Sequence, residues 1–309
     1  MYRYKAYALN INSEIEFHEF QANNNDSDFD IDICIGDTPH KLEGKEVINK
    51  VRYQTGPNEV LYHLKGAGRI YVSGGNKIVV QPIDNPDWEH LKNHVRARGI
   101  AAALHQRKHA ILHGSAICKD GMAILFIGRS GAGKSTSLAA FIKRGYDYIA
   151  DDLCLIKSDK YGACRVIPAY PKLRLWGDTI KLVQAGDQLR KGEKIREDID
   201  KYFMFSETKF IEEALPISHI YILSAYQGND INVSTVENLD KLNYLMQNSF
   251  AKGHLEGLGG YNEQFRVYGD LIKQASIKKI ERPLGGGSES LWNLIDLVES
   301  DFLNDFSYG

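Results

Sequence analysis

No hydrophobic run in the 309-residue chain is longer than the six residues Met122–Ile127, far short of the roughly 20 that a spanning helix needs. No membrane crossing is therefore expected. The opening MYRYKAYALNINSEIEF puts Asn, Ser and Glu where a signal peptide carries its apolar core, which points to a cytoplasmic protein. An excess of one charge is also missing. The chain holds 38 Lys and Arg against 40 Asp and Glu, a formal net charge of −2. That excludes a polycation built for nucleic acid and requires any phosphate chemistry to be local. Cysteine is sparse, and Cys34, Cys118, Cys154 and Cys164 show neither C-x-x-C nor Cys/His ligand spacing. Cys118 and Cys154 lie in apolar, strand-like runs, so buried free thiols are expected rather than a metal site. There are only 8 prolines and no internal repeat, and the composition is 43% hydrophobic and 25% charged. Disordered, collagenous and coiled-coil classes fall away.

What is present divides near residue 86. Up to about Pro82, short apolar runs such as FDIDICIG (29–36), EVLYHL (59–64) and RIYVSGGNKIVV (69–80) read as strands and hairpins, a small β-rich domain over 1–86. Within it, residues 14–46 hold ten Asp and Glu against two Lys, a solvated acidic face or a surface that selects a partner. Pro82 to Pro86 reads as a linker. Asp87 then opens a helix with Trp88, Leu91 and Val95 at helical spacing. Over 87–309 the order strand, strand, helix, strand in AILHGSAI, MAILFIG, STSLAAFIKRG and YDYIADDLCLI is that of an α/β nucleotide-binding core. Residues 216–226 and 231–237 read as a strand pair turned at Gln227–Asp230. Helices are expected over 238–250, 261–275 and 288–305, the last with Leu291, Leu294, Ile295, Val298 and Phe302 as a core stripe.

The chemistry is carried by residues 128–135, Gly-Arg-Ser-Gly-Ala-Gly-Lys-Ser, a full G-x-x-x-x-G-K-[ST] (Walker A) pattern between a strand and a helix. Glycines let backbone N–H groups approach phosphate oxygens, and the helix N-terminus adds its positive end. Gly128, Arg129, Ser130, Gly131, Ala132, Gly133, Lys134, Ser135 and Thr136 are the candidate nucleotide-binding set. Lys134 would reach the β/γ-phosphates, and the Ser135 hydroxyl would ligate Mg²⁺. Sixteen residues on, Asp151 and Asp152 end a strand-like run. One of the pair can hold Mg²⁺ while the other takes a proton from an attacking hydroxyl. His113, before Gly114, is either a satisfied hydrogen bonder or a site residue. Lys172 and Arg174 bracket Leu173 in PAYPKLRLW (168–176) and would share a strand face, as a phosphate or substrate clamp or as surface ion-pair formers.

Residues 112–156, LHGSAICKDGMAILFIGRSGAGKSTSLAAFIKRGYDYIADDLCLI, resemble the catalytic core of the HPr kinase/phosphorylase family in the order and spacing of HG, the phosphate loop, the Arg-Gly ending of its helix, and Ala-Asp-Asp. The resemblance implies an α/β P-loop kinase core of the HPr kinase type over 87–309, ATP with Mg²⁺, Asp151 as base toward a protein serine, Asp152 on Mg²⁺, and His113 near the phosphates. It also implies oligomers, although no stripe in the chain specifies a subunit number. The chain departs from the family where a Glu-Ile-Arg-Gly-Leu-Gly-type segment would stand. Lys172-Leu173-Arg174-Leu175-Trp176 occupies that place, with Lys where a metal-binding Glu is expected, and the grounds for reverse phosphorolysis weaken. That segment and the YKAYALNI opening are similar to the subgroup associated with lasso peptide clusters, implicated in phosphorylating the C-terminal serine of a precursor peptide.

The expected function is thus an ATP- and Mg²⁺-dependent serine kinase acting on a precursor peptide or protein. GTP stays open, because the loop grips phosphates rather than the base. The alternatives are a carrier-protein or free-serine kinase, and a non-catalytic nucleotide-binding regulatory module, which would leave the Asp pair and His113 without a task.

Overall fold

The computed structural model describes residues 1–24, 28–184, 189–195 and 199–307. It is a mixed α/β protein whose sheets and helices form two compact units, Met1–Ile111 with Ser249–Tyr268, and Leu112–Asn248 with Gly269–Gly309. The boundary expected near residue 86 falls inside the first unit. Among the described residues no helix is long and apolar enough to cross a membrane.

The first unit is built on a nine-stranded sheet of β1 (Tyr2–Ala6), β2 (Leu9–Ser13), β3 (Gln21–Ala22), β4 (Ile31–Ile35), β5 (Ile48–Asn49), β6 (Tyr53–Gly56), β7 (Glu59–Leu64), β8 (Gly68–Ser73) and β9 (Lys77–Pro82), in the order β3-β1-β2-β4-β9-β8-β7-β6-β5. The Gly-Gly-Asn turn expected between β8 and β9 is there. Gly74 and Gly75 both take positive φ, 64° and 69°, in the three-residue connection Gly74–Asn76 between the paired Ser73 and Lys77, a backbone that glycine adopts without strain. α1 (Trp88–His94) starts where Asp87 accepts a hydrogen bond from His90 N at 2.9 Å, the side-chain cap expected at a helix start. A π-helical turn over Val95–Gly99 joins it to α2 (Ile100–Gln106). Part of the acidic stretch 14–46 is spent internally: Glu19 pairs with Arg96 at 3.3 Å and Asp30 with Arg107 at 3.2 Å. Asp26 lies outside the described residues.

The second unit takes up β10 (Ala110–Lys119), β11 (Met122–Gly128), α3 (Lys134–Lys143), β12 (Asp147–Ala150), β13 (Leu153–Ser158), β14 (Cys164–Ile167), β15 (Leu173–Trp176), α4 (Gly177–Leu182), β16 (Leu189–Lys194), β17 (Lys201–Ser206), β18 (Leu215–Tyr226), β19 (Asn232–Thr235) and α5 (Asn238–Gln247). The chain then passes through α6 (Leu255–Leu258) and the start of α7 (Tyr261–Gln274), which belong to the first unit, before β20 (Ser276–Pro283) and α8 (Gly287–Ser307) of the second unit. Its main sheet runs β11-β10-β13-β14-β18-β20-β19, and β11 also pairs in parallel with β18, so five strands close on themselves. β15, β17 and β16 form a small separate sheet.

The strand pair expected over 216–237 is corrected here. β20 lies between β18 and β19, parallel to β18 over the eight positions His219↔Ser276 to Tyr226↔Pro283 and antiparallel to β19. The exposed run of β19 has little to bury, whereas β20 beside β18 carries Ile277 and Ile280, both buried. The core beneath the sheet holds Phe126, Phe141 and Tyr221, with ring centroids 5.4 and 6.0 Å apart. Such aromatic pairs contribute about 0.5–1.5 kcal/mol each beyond their buried area. The α8 stripe Leu291, Leu294, Ile295, Val298 and Phe302 is buried in the same core. All four cysteines are free thiols, with Cys154 and Cys164 buried.

Candidate phosphate-binding site

β11 ends in the loop 128–133, and α3 begins directly behind it. Two glycines make that geometry available. Gly128 has φ 152°, and a Cβ there would lie 2.4 Å from the Leu223 carbonyl oxygen on β18. Gly133 has φ 107° at the start of α3, with Arg282 already 3.2 Å from where its Cβ would stand. Both positions need the left-handed freedom and close approach that only glycine permits without strain.

Lys134 folds back along the loop, its Nζ donating to Gly128 O at 2.9 Å and Arg129 O at 3.0 Å. Burial pushes this ammonium down to about 8, against the opposing pull of Asp151. Arg282, at the end of β20, closes the loop from the other side, donating from Nε to Ala132 O at 3.0 Å and from Nη2 to Gly131 O at 3.3 Å. Burial lowers the pKa of its guanidinium as well.

The two carboxylates are held differently. β12 pairs with β10 at Ala116↔Ala150, which brings Ser115 beside Asp151. Asp151 is buried, and its Oδ1 accepts from Ser115 Oγ at 2.9 Å, Ser135 Oγ at 3.0 Å and Asp152 N at 3.0 Å. Asp152 takes φ 70°. That left-handed turn breaks the strand alternation, and the Asp152 side chain lines an open cleft where it forms an ion pair with Arg174. The cleft, of about 250 Å³, is also lined by His113, Ser130, Lys134, Ser135, Thr136 and Arg282. A second, more apolar cavity of about 330 Å³, with Leu182, Leu291, Leu294 and Gly285–Gly287 in its wall, shares Gly133, Thr136, Thr179 and Arg282 with the first.

The structure thus brings together His113, Ser130, Gly131, Gly133, Lys134, Ser135, Thr136, Asp152 and Arg174 around one cleft. Arg129 points to solvent, and Ala132 is buried in the loop. Lys172 is not among the residues lining the cleft. Its ammonium sits over the Phe205 ring at 4.5 Å, and residue 172 precedes β15. Ser115, Arg282, Trp176, Thr179 and Lys201 complete the surroundings and carry no sequence motif. For Arg282 the only signal was its place at the end of a strand, followed by Pro283.

No family model and no curated protein matches this chain. Among solved structures it is similar to the HPr(Ser) kinase/phosphatase from Coxiella burnetii. The TM-score is 0.32 at 15% sequence identity, over 64% of this chain and 93% of that one.

Proposed function

We propose that this chain is a P-loop kinase of the HPr kinase type that uses ATP and Mg²⁺ to phosphorylate a serine hydroxyl, with a peptide or protein acceptor such as the C-terminal serine of a lasso precursor peptide. The observation that carries the reading is Asp152. A carboxylate turned into the cleft that also holds Lys134 and Ser135 is what a transferase needs, and a module that only binds nucleotide does not.

The geometry supports the following roles. Loop N–H groups and Lys134 would hold the β- and γ-phosphates, and the apolar cavity beside Gly133 would take the base. Ser135 Oγ and Asp151 would hold Mg²⁺; their oxygens are the hard donors that ion prefers, and it would neutralise phosphate charge when bound. Asp152 is assigned as the base in place of Asp151, since Asp151 is buried and its Oδ1 already accepts three hydrogen bonds. Asp152 would take the proton of the acceptor hydroxyl as the serine oxygen bonds to the γ-phosphorus and the β–γ bridging bond breaks, releasing ADP. Arg174 would share its charge between Asp152 and the phosphate, and His113 would orient the acceptor side.

The test is Asp152→Asn beside Asp151→Asn, with ADP affinity and phosphoryl transfer measured on an acceptor panel: a precursor peptide ending in serine, a folded carrier protein and free serine. Asp152→Asn should bind ADP within a few fold of wild type and lose about 10²–10⁴ in turnover. Near-normal turnover in Asp152→Asn would return the base to Asp151. Nucleotide binding with no transfer to any acceptor would leave a regulatory module.

A further inference from the structure

The first unit carries a cleft that phosphoryl transfer does not use. Its volume is about 780 Å³, against about 250 Å³ at the phosphate loop, and its lining includes Arg52, His63, Lys65, Arg69, His90 and His94 but, among the described residues, no carboxylate. These side chains come from separate pieces of chain: the residue before β6, strands β7 and β8, the turn between them, and α1.

The sheet register sets His63 beside a fixed cation. His63 on β7 stands directly opposite Arg69 on β8, and Arg69 opposite Gln81 on β9. Cross-strand partners share a face, so a proton on His63 is repelled by Arg69 unless an anion sits over the pair. Among the described residues the Arg69 guanidinium meets Thr38 Oγ1 at 3.0 Å, His40 Nδ1 at 3.1 Å and Gln81 Oε1 at 2.8 Å, and no carboxylate. Asp37 accepts from the Gln81 amide at 3.0 Å. The histidines register the same field. Burial pushes His63 down, and Arg69 adds to it. Burial pushes His94 down to about 4, and Arg98, His90 and Arg52 all add. His94 Nε2 is buried and has no hydrogen-bond partner among the described residues.

Apolar surface runs between the cations. Val51 is fully exposed and Ile83 half exposed at the cleft, with Leu64 and Pro82 beside them. A lone phosphate is gripped by converging N–H groups at a helix start or tight turn, whereas here cations from several segments alternate with apolar side chains. That pattern fits an extended chain carrying both carboxylates and hydrophobic groups. We propose that this cleft docks an acidic peptide segment of a partner protein, one in which Glu or Asp alternates with apolar residues.

The experiment is fluorescence anisotropy with a labelled peptide of about twelve residues alternating Glu with Leu and Val, against its Lys-for-Glu counterpart and an oligodeoxythymidylate of about twelve nucleotides. Arg52 and Lys65 are exposed, so Arg52→Glu/Lys65→Glu should keep the fold, checked by circular dichroism, with Arg52→Gln/Lys65→Gln as the milder variant. The acidic peptide should bind wild type with strong salt dependence and weaken about tenfold or more in the charge-reversed variant, less in the neutral one. Lys134→Ala should bind it as wild type does, which separates this site from the phosphotransfer reading. Unchanged affinity in the charge-reversed variant, equal binding of the Lys peptide, or tighter binding of the oligonucleotide would overturn the proposal.

Discussion

Lys134 allows a quantitative test of phosphate binding. The residue is only 7% exposed, and burial brings its ammonium from 10.5 down to about 8. A phosphate placed against it restores the charge, so only the protonated fraction of the free protein binds well and nucleotide binding takes up a proton. Affinity must therefore fall as pH rises through about 8. The apparent Kd for ADP scales as one plus ten to the power of pH minus 8, a factor of about 1.3 at pH 7.5 and about 11 at pH 9. The expected loss across that range is about eightfold, or about 1.2 kcal/mol. Isothermal titration of ADP in two buffers of different ionisation enthalpy should show uptake of about three quarters of a proton at pH 8.5. Lys134→Arg keeps its charge throughout, so its affinity should be flat over the same range. A wild-type Kd unchanged from pH 7.5 to 9, or an equal slope in Lys134→Arg, would refute the placement of a buried, titrating ammonium against the phosphates.

Two further perturbations address the scaffold. His94 has a folded pKa of about 4 against 6.5, so its contribution to stability is intact above pH 6.5 and lost as pH falls. Between pH 7 and 5 it should remove about 2 kcal/mol. Urea melts of His94→Phe, which keeps the ring packed on Tyr62, should show that much less acid sensitivity; the same pH slope in wild type and variant would contradict a buried neutral imidazole. Gly128→Ala meets both a left-handed φ of 152° and the Leu223 carbonyl at 2.4 Å. It should cost about 1–3 kcal/mol in chemical denaturation and weaken ADP binding; a variant as stable as wild type would show that the loop can relax.

Much of the site was legible because its determinants are local. Strand, glycine loop, Lys134-Ser135 and helix are contiguous, and apolar period and turn chemistry act within a few residues. The same holds for the β8–β9 turn and the buried stripe of α8. What distance along the chain separated was not legible. The division of labour between Asp151 and Asp152 depends on one left-handed residue and on Ser115, placed by the β10–β12 pairing. Arg282 reaches the loop from about 150 residues away along the chain. β18 and β19, near in sequence and joined by a turn-like segment, are parted by β20 because burying Ile277 and Ile280 outweighs a short local hairpin. By itself the sequence determined that a glycine loop followed by Lys134 and Ser135 would sit between a strand and a helix. Tertiary structure decided which carboxylate faces the cleft and which cations gather around each cleft, since strand register and burial are set by contacts between segments far apart in the chain.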